Sequence, residues 1–240
     1  MTADKSGKRD ERPVATNGDD PASLRPGHGS ASTAGRSGYH HGSLRDALID
    51  AVFDAIRKDG YERFSLADAC RAAGVSTAAP YKHFKDREEI LAAALSRAFI
   101  EMRNGTLAAV AKAGRGTLAG MVAMGHSYVD FAVREEHWFR VMFVRDKRLT
   151  QAPLTLDSSQ ECFSHVIGEV EYYCQCVGHP GDPRAIAIRL WTFVHGVACL
   201  HIDAAFETAS PETDTAQLIV ETTPLLLSDG PIPPSQFSGP

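Results

Sequence analysis

Long apolar runs are missing from this 240-residue chain, and so are the cysteine spacings of a disulfide scaffold. No stretch approaches ~18 consecutive apolar residues, the length a membrane-spanning helix requires, so no membrane partner is expected. The N-terminal segment is polar and holds no apolar run of the kind a secretory signal needs, which makes the cytoplasm the expected compartment. Five cysteines, at 70, 162, 174, 176 and 199, are an odd number. In a cytoplasmic chain they read as reduced, mostly buried thiols, with Cys174 and Cys176 on different sides of a helix. A Gly-x-Ser-x-Gly elbow, a phosphate-cradling glycine loop and a His-Glu-x-x-His helix are all absent, so no enzyme class is indicated and no cofactor is expected. Strand-like alternation between hairpin turns is also lacking, and with it any sign of a sheet.

What is present divides unevenly. The net charge is −5, yet residues 1–38 carry six basic and five acidic groups, 39–85 carry seven and six, and 86–240 carry twelve and nineteen. The acidity therefore sits in the C-terminal part, and the charge of the whole chain neither supports nor excludes an anionic partner. Residues 1–38 are rich in Gly, Ser, Pro and charged side chains, and 229–240 are Pro-rich; neither can bury enough surface to offset chain entropy, so both read as disordered tails.

Between the tails the apolar spacing is helical throughout. Leu44, Leu48, Val52 and Ile56 form a stripe that predicts a helix over about 43–59. Ser65 caps a short helix that Gly74 ends, and Ser76 opens a second short helix to about Phe84. Asp86 with Glu89 opens a long helix carrying Ile90, Leu91, Leu95, Phe99 and Met102. Further helices are expected over about 117–134, 136–144, 156–177, 183–207 and 213–227. The expected fold is all-α, with an N-terminal three-helix unit over 39–92 and a C-terminal helical bundle over 93–228.

The segment 65–84 carries the sharpest signal. Two short helices meet at a turn containing Gly74, with Ala69, Ala72 and Ala73 small where the helices approach. This is the build of a helix-turn-helix, whose second helix enters the DNA major groove. Thr77 and Ala78 are small enough to bring the backbone near base edges, while Tyr81, Lys82, His83 and Lys85 reach phosphates. Ser65, Ser76 and the lead-in His40 and His41 complete the candidate DNA-binding set. Pro80 falls in the first turn, where most N–H groups lack intrahelical partners.

Gly60-Tyr61, Phe64-Ser65, Ala72-Ala73-Gly74-Val75-Ser76 and Tyr81-x-x-Phe84-x-x-Arg87-Glu88-x-Ile90-Leu91 together resemble the DNA-binding domain of the TetR family of transcriptional regulators. Trp191-Thr192-Phe193-Val194-His195-Gly196, with His137-Trp138-Phe139 upstream, resembles the WHG-type C-terminal domain of that family. The resemblance implies a ligand-responsive regulator, commonly a repressor released from its operator by a small-molecule effector, with the C-terminal half serving ligand binding and dimerisation.

Within that half, Trp138, Phe139, Met142, Phe143, Phe163, Trp191 and His195 are the candidate pocket residues, aromatic and apolar groups with one switchable imidazole. Ile186, Leu190, Phe193, Val197 and Leu200, with Leu218 and Ile219, are the candidate interface of a homodimer that would place two reading heads on a near-palindromic duplex. Two alternatives remain open. Cys162 with His165, and His195 with Cys199, offer soft ligands for a metal-sensing regulator, and a Cys–His dyad leaves room for an all-helical enzyme.

Overall fold

The structure, a computed structural model, describes residues 44–143 and 146–228, and among them it contains helices and no strand. Helix α1 (Leu44–Asp59) turns Leu48, Val52, Phe53 and Ile56 inward, and Gly60 follows it with positive φ. Helix α2 (Leu66–Ala72) starts where Ser65 Oγ accepts from the Asp68 N–H at 3.3 Å. It ends at Gly74, whose φ of 70° lies in the left-handed region where a Cβ is strained.

The expected helix from Ser76 to Phe84 is not there. A turn closed by the Ala79 N–H on the Ser76 carbonyl is followed by a 3-10 turn, Pro80–Lys82. The reason is Pro80. A helix capped by Ser76 would make its first i→i−4 bond from position 80 to the Ser76 carbonyl, and proline has no N–H to donate.

Helix α3 (Arg87–Ala113) begins at Asp86, whose side chain accepts from the Glu89 N–H at 2.8 Å. The boundary expected between 92 and 93 falls inside this helix, which is buried on both sides of that point. Helix α4 (Leu118–Arg134) is capped by Thr117, and α5 (Glu136–Met142) follows with a single intervening residue. A one-turn helix that the sequence does not announce, α6 (Lys147–Thr150), precedes α7 (Pro153–Val177). Asp182 caps α8 (Pro183–Ile202) by accepting from the N–H groups of Arg184 and Ala185. The single helix expected over 183–207 is broken at Ala204, which takes φ 52°, so that α9 (Ala205–Ala209) is separate. Helix α10 (Thr215–Ser228) carries Pro224 within it.

Helix α3 packs on α1, α4, α5, α6 and α7, so one element ties the N-terminal helices to the bundle. One apolar cluster runs from Leu48, Phe53 and Phe84 through Trp138 and Phe139 to Val194 and Ile219. A second, around Val110, Met121, Val170, Ile186 and Leu190, fills the far end. Gly125 of α4 is a point of close approach: a Cβ there would lie 3.0 Å from Ile219 and 3.3 Å from Val194. Among the described residues α8 alone is long and apolar enough to cross a membrane, and here it packs against α4, α7 and α10.

Candidate nucleic-acid interface and ligand cavity

The segment after Gly74 is anchored from beneath. Ala79, Pro80 and Phe84 are buried, and Arg45 of α1 lies over the Phe84 ring, its guanidinium carbon 5.1 Å from the centroid. With the apolar residues of the turn used as anchors, Ser76, Thr77, Ala78, Tyr81, Lys82, His83 and Lys85 all face outward, Tyr81 with 59% of its surface free. Backbone tied down from below and polar side chains presented above is the arrangement a groove-reading element requires. Ser65 is occupied as a helix cap and half-buried. His40 and His41, like the two expected tails, lie outside the described residues.

Below the head, α5 is wedged between α1 and the bundle. Trp138 is fully buried and stacked on Phe53, centroids 4.9 Å apart, and its indole N–H donates to the Phe53 carbonyl at 3.0 Å. Beside it the Arg57 guanidinium donates to the buried Glu135 carboxylate at 2.7 Å, and Glu135 holds the arginine pKa above its ordinary value. Trp138 is thus a structural peg for the head rather than a pocket residue.

The other end of α5 borders a cavity of about 390 Å³, open to solvent on one side, formed by α3, α4, α7 and α8, with α5, α6 and α10 contributing. That is within the range of small-molecule sites, ~300–1,000 Å³. Of the residues singled out by sequence, Met142, Phe143, Phe163 and Trp191 line it, and Trp138, Phe139 and His195 do not. Phe139 packs edge-on to Tyr128. His195 stands behind the wall, with Nδ1 2.9 Å from the Tyr128 hydroxyl and the Phe143 ring 4.5 Å away. The Trp191 indole N–H donates to the same hydroxyl at 3.2 Å.

Sequence reasoning missed most of the wall: Phe99, Met102 and Thr106 from α3, and Met121, Met124 and Tyr128 from α4. A signal for them existed. Apart from Met1, the chain has methionine only at 102, 121, 124 and 142, and all four line the cavity. Flexible, polarizable thioethers fill irregular space around variable contents better than branched side chains do.

The cysteine–histidine pairs are not poised for nucleophilic chemistry. Cys199 Sγ lies 3.6 Å from His195 Nε2, but burial pushes the thiol pKa up and the imidazole pKa down, which disfavours both charged forms. Burial also raises the Cys162 thiol to about 11, and His165 Nδ1 donates to the Glu161 carbonyl at 2.8 Å. Among the described residues no three His, Cys, Asp or Glu side chains gather as a metal site.

The stripe expected to close a dimer points mostly inward. Ile186, Leu190, Val197 and Ile219 are buried within the chain, Phe193 and Leu218 are half-buried, and only Leu200 is exposed. That row packs on α4, α7 and α10, which one chain supplies by itself. The outward face of α8 is instead Ile188, Thr192, Gly196 and Leu200, four apart. A Cβ at Gly196 would meet nothing within 4 Å, and exposed Val220 and Leu225 add apolar surface on α10.

Comparison with known proteins agrees with this geometry in both halves. The sequence model described as bacterial regulatory proteins, tetR family, matches residues 48–94, and that of a tetracyclin repressor-like C-terminal domain matches 121–223. A Rhodococcus sp. RHA1 protein of unknown function is 27% identical, with a TM-score of 0.67 over 80% of this chain and 97% of that one. A putative TetR-family transcriptional regulator from Rhodococcus sp. is 21% identical, with a TM-score of 0.61 over 77% and 98%. The transcriptional regulator FadR of Bacillus subtilis, solved in complex with stearoyl-CoA, shares the fold at 15% identity, with a TM-score of 0.57 over 76% and 97%. No protein of curated function matches the chain.

Proposed function

The chain belongs to the tetR family of bacterial regulatory proteins, and from that premise we propose that it is a homodimeric repressor, released from a near-palindromic operator when a small molecule enters the body cavity. The observation that carries the reading is the conjunction of an outward-facing Thr77–Lys85 segment with an apolar cavity in the same framework. The stearoyl-CoA held by a protein of the same fold supports a ligand role for that cavity. In this reading the chain acts in the cytoplasm as a binding protein and not as an enzyme.

Two heads must sit roughly one DNA turn, ~34 Å, apart to read one duplex face. The open row Ile188, Thr192, Gly196 and Leu200, with Val220 and Leu225, is the surface on which a second copy would close that spacing. A ligand changes operator affinity only by favouring one arrangement of the heads. Two elements reach from cavity to head: α3, whose Met102 lines the cavity and whose Ile90 and Leu91 are buried in the framework shared with the head, and α5, with Met142 at one end and Trp138 at the other. A coupling of about 1–3 kcal/mol gives a 5–150-fold change in operator affinity, enough for a switch.

The test begins with duplexes selected from a random pool by the wild-type chain and titrated by fluorescence anisotropy. The Tyr81→Ala, Lys82→Ala double variant keeps its helical circular dichroism and loses operator binding, with the salt slope falling by about one unit per phosphate contact removed. A folded double variant that binds normally would overturn the assignment of the reading segment. Sedimentation of the wild type as a monomer at micromolar concentration would overturn the dimer.

A further inference from the structure

The wall chemistry of the cavity narrows what it admits. Its ionisable side chains other than a phenol and a thiol are Arg103, His165 and Glu169, and each is already engaged. Arg103 pairs with Glu161 at 2.7 Å, and Glu169, itself buried, receives the Arg115 Nε–H at 2.9 and 3.1 Å. His165 donates to a backbone carbonyl. The phenol and the thiol are neutral at pH 7: burial raises the pKa of Tyr128, and it raises Cys162 to about 11. The wall hydroxyls donate to backbone carbonyls, Thr106 to Met102 at 2.9 Å, Thr223 to Ile219 at 2.7 Å, Thr150 to Asp146 at 3.0 Å, Thr155 to Ala92 at 3.5 Å and Ser159 to Leu156 at 3.0 Å, so none offers a spare proton to an anion. The rest of the wall is the neutral amide of Gln160 together with thioethers, aromatic rings and aliphatic side chains.

On the premise that this cavity is the effector site, we infer that its ligand is uncharged throughout the part the cavity encloses: an apolar small molecule held by thioether and ring contact, without ion pairing. A carboxylate or ammonium placed inside would give up its hydration and find the only counter-charges, Arg103 and Glu169, already paired with Glu161 and Arg115, so its charge would stay largely uncompensated. A neutral skeleton of the same shape loses little on entry and gains dispersion contact with four mobile methionines.

Naphthyl methanol, naphthoate and naphthyl methylamine share one ring skeleton small enough to be enclosed and differ only in charge near pH 7. Titrated calorimetrically into the full-length protein, the alcohol binds at least about tenfold more tightly than either ion. Met124→Trp, which fills the cavity from α4, keeps its helical circular dichroism and weakens binding of the alcohol. Should that variant fail to fold, the comparison of the three probes on wild type still decides the matter. An acid or amine that binds as well as the alcohol overturns the inference, and so does binding by none of the three up to their solubility. If the alcohol binds selectively but operator affinity does not change, the ligand class stands and the regulatory reading falls.

Discussion

The chain has two tryptophans, and they divide the molecule into two kinds of interior. Trp138 has no exposed surface; it stacks on Phe53, bonds a backbone carbonyl, and belongs to a core in which Leu48, Val52, Ile56 and Ile90 are equally closed off. Trp191 keeps 38% of its surface and stands at the edge of an open volume ringed by methionines. The head is packed to one arrangement, whereas the body leaves room for a guest. A reading element needs the first, since base edges tolerate little displacement, and a sensor needs the second, since a filled core has no place for a ligand.

The contrast is sharpest in truncation. Trp138→Ala removes a fully packed indole and its hydrogen bond and costs about 3–5 kcal/mol, whereas Trp191→Ala in the ligand-free protein costs about 1 kcal/mol. Urea midpoints of the two variants measure the difference, and equal losses would erase the distinction between the regions. Next in size is Arg57→Ala, which leaves the Glu135 carboxylate buried with only Arg134, 3.4 Å away, as a partner. It lowers stability by about 1–3 kcal/mol, and Glu135→Gln in the same background restores part of it.

Overpacking runs in the same direction. Ala69→Val, between α1 and α2, costs about 1–3 kcal/mol, whereas Met124→Phe extends into free volume and costs less. A Met124→Phe penalty equal to that of Ala69→Val would mean that the body is as tightly filled as the head.

The smallest expected effect is a pH slope. Burial lowers the His195 pKa below its ordinary 6.5. As pH falls through that value, the unfolded chain takes up a proton that the folded chain resists, so stability declines on acidification and is flat above. Between about pH 7.5 and about pH 5.5, thermal scans of wild type and His195→Gln should diverge, the variant losing this part of the slope. Parallel curves would remove His195 from the account.

Helix starts were the most legible feature, because a cap is a local event. Ser65 and Asp86, read as caps from their side-chain chemistry and position, each accept from the N–H three residues on. Less legible was the reading segment, where Pro80 falls among first-turn positions whose N–H groups mostly lack partners, although position 80 is the first in a helix capped by Ser76 that needs one. The break at Ala204 has no sequence marker at all, since a non-glycine residue with positive φ is held there by its surroundings.

The pocket set, of which Met142, Phe143, Phe163 and Trp191 line the cavity and Trp138, Phe139 and His195 do not, was mixed for a different reason. Trp138, Phe139, Met142 and Phe143 sit on or just after one seven-residue helix that is apolar on more than one side. Periodicity identifies such a helix without telling which side meets a packed core and which meets a void. The dimer stripe failed likewise: the hydrophobic row of α8 was found, but its inner and outer faces are both apolar, and Ile186 and Leu190 proved to be core while Ile188 and Leu200 face out.

By itself, then, the sequence determined what is local: all-helical patterning, the caps, the glycine turn at 74 and the spacing of a helix-turn-helix, all of which depend on residues within a few positions of one another. Only the tertiary structure decided which methionines meet across the cavity from α3, α4 and α5, and which tryptophan pegs the head. It also decided which face of α8 packs against α4, α7 and α10 and which stays exposed. Those assignments depend on side chains far apart in the chain packing against one another, and apolar packing is non-directional, so the residues involved carry no mark of their partners.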